Sequence, residues 1–312
     1  LSTVSSREIA ASGPADARAS SAVSWSSFVE LTKPRLLLLV IATTVLGYLL
    51  ARPMPIEWGL LLAVGMGTTL LGGGANAVNQ WWEASPDSKM ERTKGRPLPS
   101  GRLAPRSGLL FALTISAIGL AGIALLVNGL TAMLALASWA IYIFAYTPLK
   151  RRSTLNTIIG AVSGAIPPVL GWTAATNEFG AGALVLFAIL FLWQIPHFLS
   201  IAWRHREDYA RGGFVMLPVV DPGGRTTFRI ALWYCLALIP VTLSAAAVGL
   251  SGWLYCLGAM IGGIVLLAGA LRLNHERSRE AARALFLCTI IYLPALLLLM
   301  LIDPTRLPVR LG

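Results

Sequence analysis

Apolar residues in this chain run in long blocks, with polar residues gathered in the gaps. Nine blocks stand out, at 36–51, 58–82, 107–127, 130–148, 155–176, 180–203, 229–249, 252–272 and 283–302. Each is near the roughly 20 residues an α-helix needs to cross a hydrocarbon core. The pattern predicts an all-α, polytopic membrane protein: a nine-transmembrane-helix bundle forming one domain over 28–305. Residues 1–27 read as a disordered polar tail and 306–312 as a short C-terminal one. The tail holds Arg7 and Arg18 but also Glu8 and Asp16, acids that a mitochondrial presequence avoids. The run after Lys33-Pro34-Arg35 resembles a signal-peptide core, yet the spans that follow make it a retained first helix. Gly160 to Pro168 interrupts the fifth block with small-xxx-small spacing and a proline pair, which predicts close packing and a kink.

Composition sharpens this picture. Only 12% of residues are charged, against about a quarter in soluble domains, so no separate soluble domain is left to build. A net charge of +11 suggests nucleic acid at first sight. The bases, however, lie in loops: 22 of the 25 Lys and Arg residues fall on one side of the predicted bundle, leaving Arg52, Arg306 and Arg310 on the other. That asymmetry is the positive-inside signature, which puts the basic side in the cytoplasm or matrix and excludes a nucleic-acid role. Cys235, Cys256 and Cys288 each lie inside a predicted span without metal-ligand spacing, and read as packing residues.

Acids contribute little to topology, so those on the basic side need another explanation. The loop after the second block reads "NQWWEASPDSKMERTKGRPLPSGR". Asn79 and Glu83 share a helical face. Pro86 disfavours a helical Ser85, so the helix is expected to break there, with Asp87 curling back from the turn. An amide and two carboxylates converging at a membrane surface suit Mg²⁺, which takes oxygen ligands and is commonly held by one or two carboxylates plus substrate phosphates. Lys89, Arg92, Lys94, Arg96 and Arg102 follow at once and can neutralise phosphate oxygens. A solvated loop whose acids pair with its own bases is the plainer alternative. The sixth block ends in "WQIPHFLSIAWRHREDYARGG", which places Gln194 and His197 inside the membrane edge and Glu207 and Asp208 just beyond it.

The pattern N-x3-E-x3-D followed by "MERTKGRPLPSGR" resembles the intramembrane prenyltransferases of the UbiA superfamily, and within it the protohaem IX farnesyltransferase branch. "LTKPR" at 31–35, "YTPLKRR" at 146–152, "GAIPPVLG" at 164–171, "WQIPHF" at 193–198 and "DYARGGFVMLP" at 208–218 carry the likeness along the chain. Glu83 stands where many relatives have Asp, and the DxxxD spacing of quinone-type relatives is missing from the second loop. The resemblance implies an enzyme that joins farnesyl diphosphate to protohaem IX, with water addition, to give haem O. It implies Mg²⁺ as cofactor, and a bacterial cytoplasmic or mitochondrial inner membrane as location. A downstream haem A synthase or haem-copper oxidase assembly factors are its candidate protein partners. Carried onto this chain, it makes Asn79, Glu83 and Asp87 the metal ligands, with Asp208 a further catalytic candidate and Glu207 and Asp208 the candidates for a second metal pair. Lys94, Arg96, Arg102, Lys150 and Arg211 become the diphosphate clamps. Tyr142, Tyr146, Gln194 and His197 become cavity or haem-binding residues. Whether His197 would ligate iron or hydrogen-bond in a polar cavity stays open, and core packing suits the two tyrosines equally. A transporter, a quinone- or chlorophyll-type prenyltransferase and a non-catalytic haem-binding protein are the rivals. A transporter would favour charges at mid-membrane, whereas these clusters sit at one surface.

Overall fold

Pro34 decides how the chain enters the membrane. The computed structural model describes residues 24–51 and 55–305. Helix α1 (Trp25–Thr32) stops at Lys33, whose backbone is left-handed (φ 54°), and α2 (Pro34–Leu50) begins with the proline at its first position. A proline there loses no helical hydrogen bond, while the residue before it is pushed out of the helical region. The two axes meet at 49°.

The chain continues through α3 (Trp58–Trp82), the short turn α4 (Ala84–Asp87) and α5 (Pro105–Leu126). Helix α6 (Gly129–Ala140) passes through a π-helical stretch, Ile141–Tyr146, into α7 (Thr147–Leu149). Then come α8 (Asn156–Ala165) and α9 (Pro167–Thr176), α10 (Ala181–Arg204), α11 (Arg206–Arg211), α12 (Leu217–Val220), α13 (Arg225–Ala247), α14 (Trp253–Glu276) and α15 (Arg279–Ile302). Among the described residues eight helices or continuous pairs are long and apolar enough to cross a membrane, and the bent α1–α2 pair makes a ninth. The nine predicted blocks therefore correspond to nine candidate spans. The break expected at the proline pair falls at Ile166, between α8 and α9.

Large apolar side chains such as Leu110, Leu125 and Ile264 face outward, as lipid solvation allows. Inside, small residues let backbones approach. A methyl group on Gly47 would collide with the Pro168 carbonyl, and one on Gly171 with that of Thr44, so α2 and α9 touch almost backbone to backbone. Helix α3 packs on α5, α10 on α8, α13 and α15, and α15 reaches back to α2, which closes the bundle.

Two expectations shift. Helix α3 ends at Glu83 (φ −94°, ψ 9°), not at Ser85. Ser85 is helical within α4, because Pro86 sits in a first turn where its missing N–H costs nothing; Asp87 N–H donates to the Glu83 carbonyl at 2.8 Å, so Asp87 continues the turn instead of curling back. Residues 25–27, assigned to the tail, already form the first turn of α1. Residues 1–23 of that tail, residues 306–312 and Arg52 lie outside the described residues.

Replacing Gly171 by Val should force α2 and α9 apart and destabilise the bundle by about 1–3 kcal/mol or more. Gly122→Ala, with nothing near its added methyl, should be neutral or better. Thermal unfolding in detergent compares the two.

Candidate active site

The row Asn79, Glu83, Asp87 arises because the α3 terminus and α4 run on in nearly helical register. All three side chains are buried, at 1%, 4% and 1% exposure. Isolated charges at such positions are very costly, and each group is met by a basic side chain from a different part of the chain. Lys33, at the α1–α2 bend, donates to Asn79 Oδ1 at 3.3 Å. Lys150, just after α7, donates to Glu83 Oε2 at 3.0 Å. Arg96, from the loop itself, holds Asp87 Oδ2 at 2.5 Å.

The Lys150 ammonium is also 2.9 Å from Glu83 Oε1, but out of line for a hydrogen bond, which leaves that buried carboxylate oxygen without a donor. Burial pulls the Lys150 pKa down, but the Glu83 carboxylate, with Tyr146 and Tyr142, outweighs it and holds the ammonium above its ordinary range. Lys150 also lies over the Tyr146 ring, 4.5 Å from the centroid. Asn79 is oriented from behind by its amide N–H to Thr147 Oγ1 at 3.1 Å, and Thr147 in turn donates to the Tyr142 carbonyl at 2.8 Å. That carbonyl lies in the π-helical stretch, a distortion common at functional sites.

Below this rim opens a chamber of about 550 Å³, within the size range of small-molecule sites. Its mouth carries Lys33, Arg35, Arg92, Arg96 and Lys150 beside the three acid and amide groups. Its body is apolar and aromatic, with Leu71, Trp139, Leu170, Leu190, Trp193 and Phe198. Tyr142 and Tyr146 line it with ring centroids 5.2 Å apart, and Gln194 and His197 reach it from α10.

The second loop closes over the first. Asp208 accepts the backbone N–H groups of Glu91 (3.0 Å) and Arg92 (3.2 Å) and the Arg211 guanidinium (2.6 Å). Burial raises the Asp208 pKa, but those donors outweigh it and hold the carboxyl below the usual range. Val215 N–H reaches the Lys150 carbonyl at 2.6 Å, so one segment ties the first loop to the middle one.

The predicted site residues therefore divide. Asn79, Glu83, Asp87, Arg96, Lys150, Tyr142, Tyr146, Gln194 and His197 come together around the chamber. Lys94 pairs with Glu91 in solvent, and Arg102 binds Glu30 and the Gly95 carbonyl; neither lines the chamber. Arg211 is engaged by Asp208. The anticipated second carboxylate pair is not assembled, because Glu207 points outward to Arg279 while Asp208 serves as a backbone acceptor. Arg92, one of the loop bases expected to meet phosphate, does line the chamber, whereas Lys33 and Arg35 are site residues the sequence reading does not name. The charged pair flanking Pro34 was the available signal, since a charge beside a helix-starting proline is placed by the turn it creates.

A charged rim over a greasy chamber, at one end of a helical bundle, defines an intramembrane receptacle for a molecule with an anionic head and an apolar tail. The pattern of the UbiA prenyltransferase family matches residues 40–291, and the chain belongs to that family. It is 45% identical to the protoheme IX farnesyltransferase of Solibacter usitatus over 285 residues, covering 88% of this chain and 98% of that one. Its fold is similar to a digeranylgeranylglyceryl phosphate synthase (TM-score 0.77, 17% identity, covering 90% of this chain and 99% of that one). It is also similar to a UbiA homologue from Archaeoglobus fulgidus bound to GPP and Mg²⁺ (TM-score 0.61, 12% identity, 88% and 99% covered).

Asp208→Ala should release the loop it clasps. Hydrogen exchange at the Glu91 and Arg92 amides is expected to accelerate; unchanged exchange would show that other contacts hold the loop.

Proposed function

We propose that the protein transfers the farnesyl group of farnesyl diphosphate to a vinyl group of protohaem IX, with addition of water, giving haem O and diphosphate. The observation that carries this reading is the set of three pairings, Lys33–Asn79, Lys150–Glu83 and Arg96–Asp87, at the mouth of an apolar chamber. The likeness to a named protoheme IX farnesyltransferase over nearly its whole length supports the choice of acceptor.

Asn79, Glu83 and Asp87 fit Mg²⁺: they offer an amide oxygen and two carboxylates, and the buried Glu83 Oε1, in ionic contact with Lys150 at 2.9 Å, accepts no hydrogen bond among the described residues. A bound Mg²⁺ would supply positive charge to the oxygens of the diphosphate leaving group. Lys150 and Arg96, released from their carboxylates, turn to the phosphate oxygens, with Lys33, Arg35 and Arg92 beside them. Such preset cations stabilise the charge that develops as the allylic C–O bond breaks. The farnesyl chain lies in the chamber, where burial contributes about 0.8 kcal/mol per CH₂. Tyr142, Tyr146, Trp139 and Trp193 wall the allylic carbon, keep bulk water from it and offer ring faces to a cation. The basic side would face the cytoplasm of a bacterium or the mitochondrial matrix, with the enzyme in the corresponding inner membrane.

Purified protein with Mg²⁺, farnesyl diphosphate and haem B should form haem O, and chelation of Mg²⁺ should stop it. Asp87→Asn should lower turnover by about 100-fold or more while membrane insertion is intact. Prenylation of a phenolic acceptor with haem untouched, or a near-normal rate for the variant, would contradict the reading.

A further inference from the structure

Two side chains on α10 bring lone pairs to the chamber. The amide nitrogen of Gln194 donates to the carbonyls of Leu190 (3.0 Å) and Ala161 (3.4 Å). Only the NH₂ end of an amide can face two carbonyls, so the orientation is fixed and Oε1 is the free acceptor. Gly164 makes room for it, since a methyl group there would collide with that oxygen.

His197 is set by the neighbouring α15. Its Nδ1 is 2.8 Å from Thr289 Oγ1, and the Thr289 hydroxyl donates to the Phe286 carbonyl at 2.6 Å. With its proton committed, Thr289 Oγ1 acts as an acceptor, so Nδ1 carries the imidazole hydrogen and Nε2 the lone pair. The ring is held by stacking on Trp193 (centroids 4.9 Å, planes 21° apart) and Phe286 (5.1 Å, 27°). Among the described residues, neither His197 Nε2 nor Gln194 Oε1 has a hydrogen-bond partner. The two residues are three apart on one helix, so they share a face. Counted back from Arg204, they lie about 10 and 15 Å down the helix axis from the charged rim.

The proposed farnesyl transfer requires a second event in the same chamber, and the role assigned to these two side chains rests on that transfer. When the vinyl π electrons form the new bond to the allylic carbon, the C–O bond to diphosphate breaks and diphosphate leaves. The vinyl carbon attached to the macrocycle then becomes electron-deficient. It either sheds a proton from its neighbour to give an alkene, or takes up water to give the hydroxyl. We propose that His197 is the general base of this hydration, with Gln194 orienting the water and Thr289 acting as the positioning residue that sets the imidazole tautomer. A water donating one hydrogen to Nε2 and the other to Oε1 presents its lone pairs to the cation. The water oxygen forms the C–O bond, the O–H electron pair stays on oxygen, and the proton passes to Nε2.

The test follows products by mass spectrometry, with Mg²⁺, farnesyl diphosphate and haem B in oxygen-18 water. Wild type should give haem O with one labelled oxygen. His197→Phe should still release diphosphate and farnesylate haem, but the product should be one water lighter, with hydrated product down about 100-fold or more. Thr289→Val should raise the share of dehydrated product, and Thr289→Ser should restore hydration; this pair decides the question if His197→Phe does not accumulate. Unchanged hydration in His197→Phe or in Thr289→Val overturns the proposal. So does joint loss of haem binding and diphosphate release in His197→Phe, which marks an iron ligand or structural residue instead. Failure of the wild type to farnesylate haem at all sinks the underlying functional reading, and the proposal with it.

Discussion

A carboxylate at the edge of a hydrocarbon layer has to be matched by a cation, and breaking such a buried pair by removing one partner costs about 3–5 kcal/mol. Glu83 and Asp87 sit under that constraint, and the surrounding chain is arranged to satisfy it. Lys150 is brought over Glu83 by the π-helical stretch and α7, and Arg96 is folded back from the first loop onto Asp87. The same pairings make the site receptive. A divalent cation with a diphosphate can be inserted between the carboxylates and the bases with little change in net charge, each protein group exchanging one ionic partner for another.

The loops and the bundle divide the work by polarity. Close backbone packing, as between α2 and α9 at Gly47 and Gly171, fixes the helices that wall the chamber. Aromatic side chains from the α6 end and α10 fill its upper wall, and the first loop, clasped by Asp208, covers its mouth. Charge is thereby confined to one end, where an anionic head can be met, while a long apolar tail finds surroundings like itself. Gln194 and His197 are the exception, and their hydrogen bonds to helix carbonyls and to Thr289 show that they are held in fixed orientations.

Much of this was legible in the sequence. The nine apolar blocks reappear as candidate spans because block length is dictated by bilayer thickness, and the break at Ile166 follows from the proline pair. Asn79, Glu83 and Asp87 converge because a spacing of four nearly matches the helical period. The cations were harder to assign. Lys94, Arg102 and Arg211 were expected at the diphosphate, but which loop side chains turn inward depends on closure between distant segments, and of the first-loop bases Arg92 and Arg96 line the chamber, joined by Lys33 from the α1–α2 bend. Asp208 and Glu207 diverge for the same reason: the backbone N–H groups of a loop more than a hundred residues away select one of them.

The central claim is that a cation-bridged diphosphate takes the place of the ion pairs at the rim. A structure with a non-hydrolysable farnesyl diphosphate analogue and Mn²⁺, its position read from anomalous scattering, tests this directly. The account predicts the manganese peak among Asn79, Glu83 and Asp87, and the phosphates against Lys150 and Arg96. Phosphates bound elsewhere, with Glu83 still on Lys150 and Asp87 still on Arg96, would contradict it.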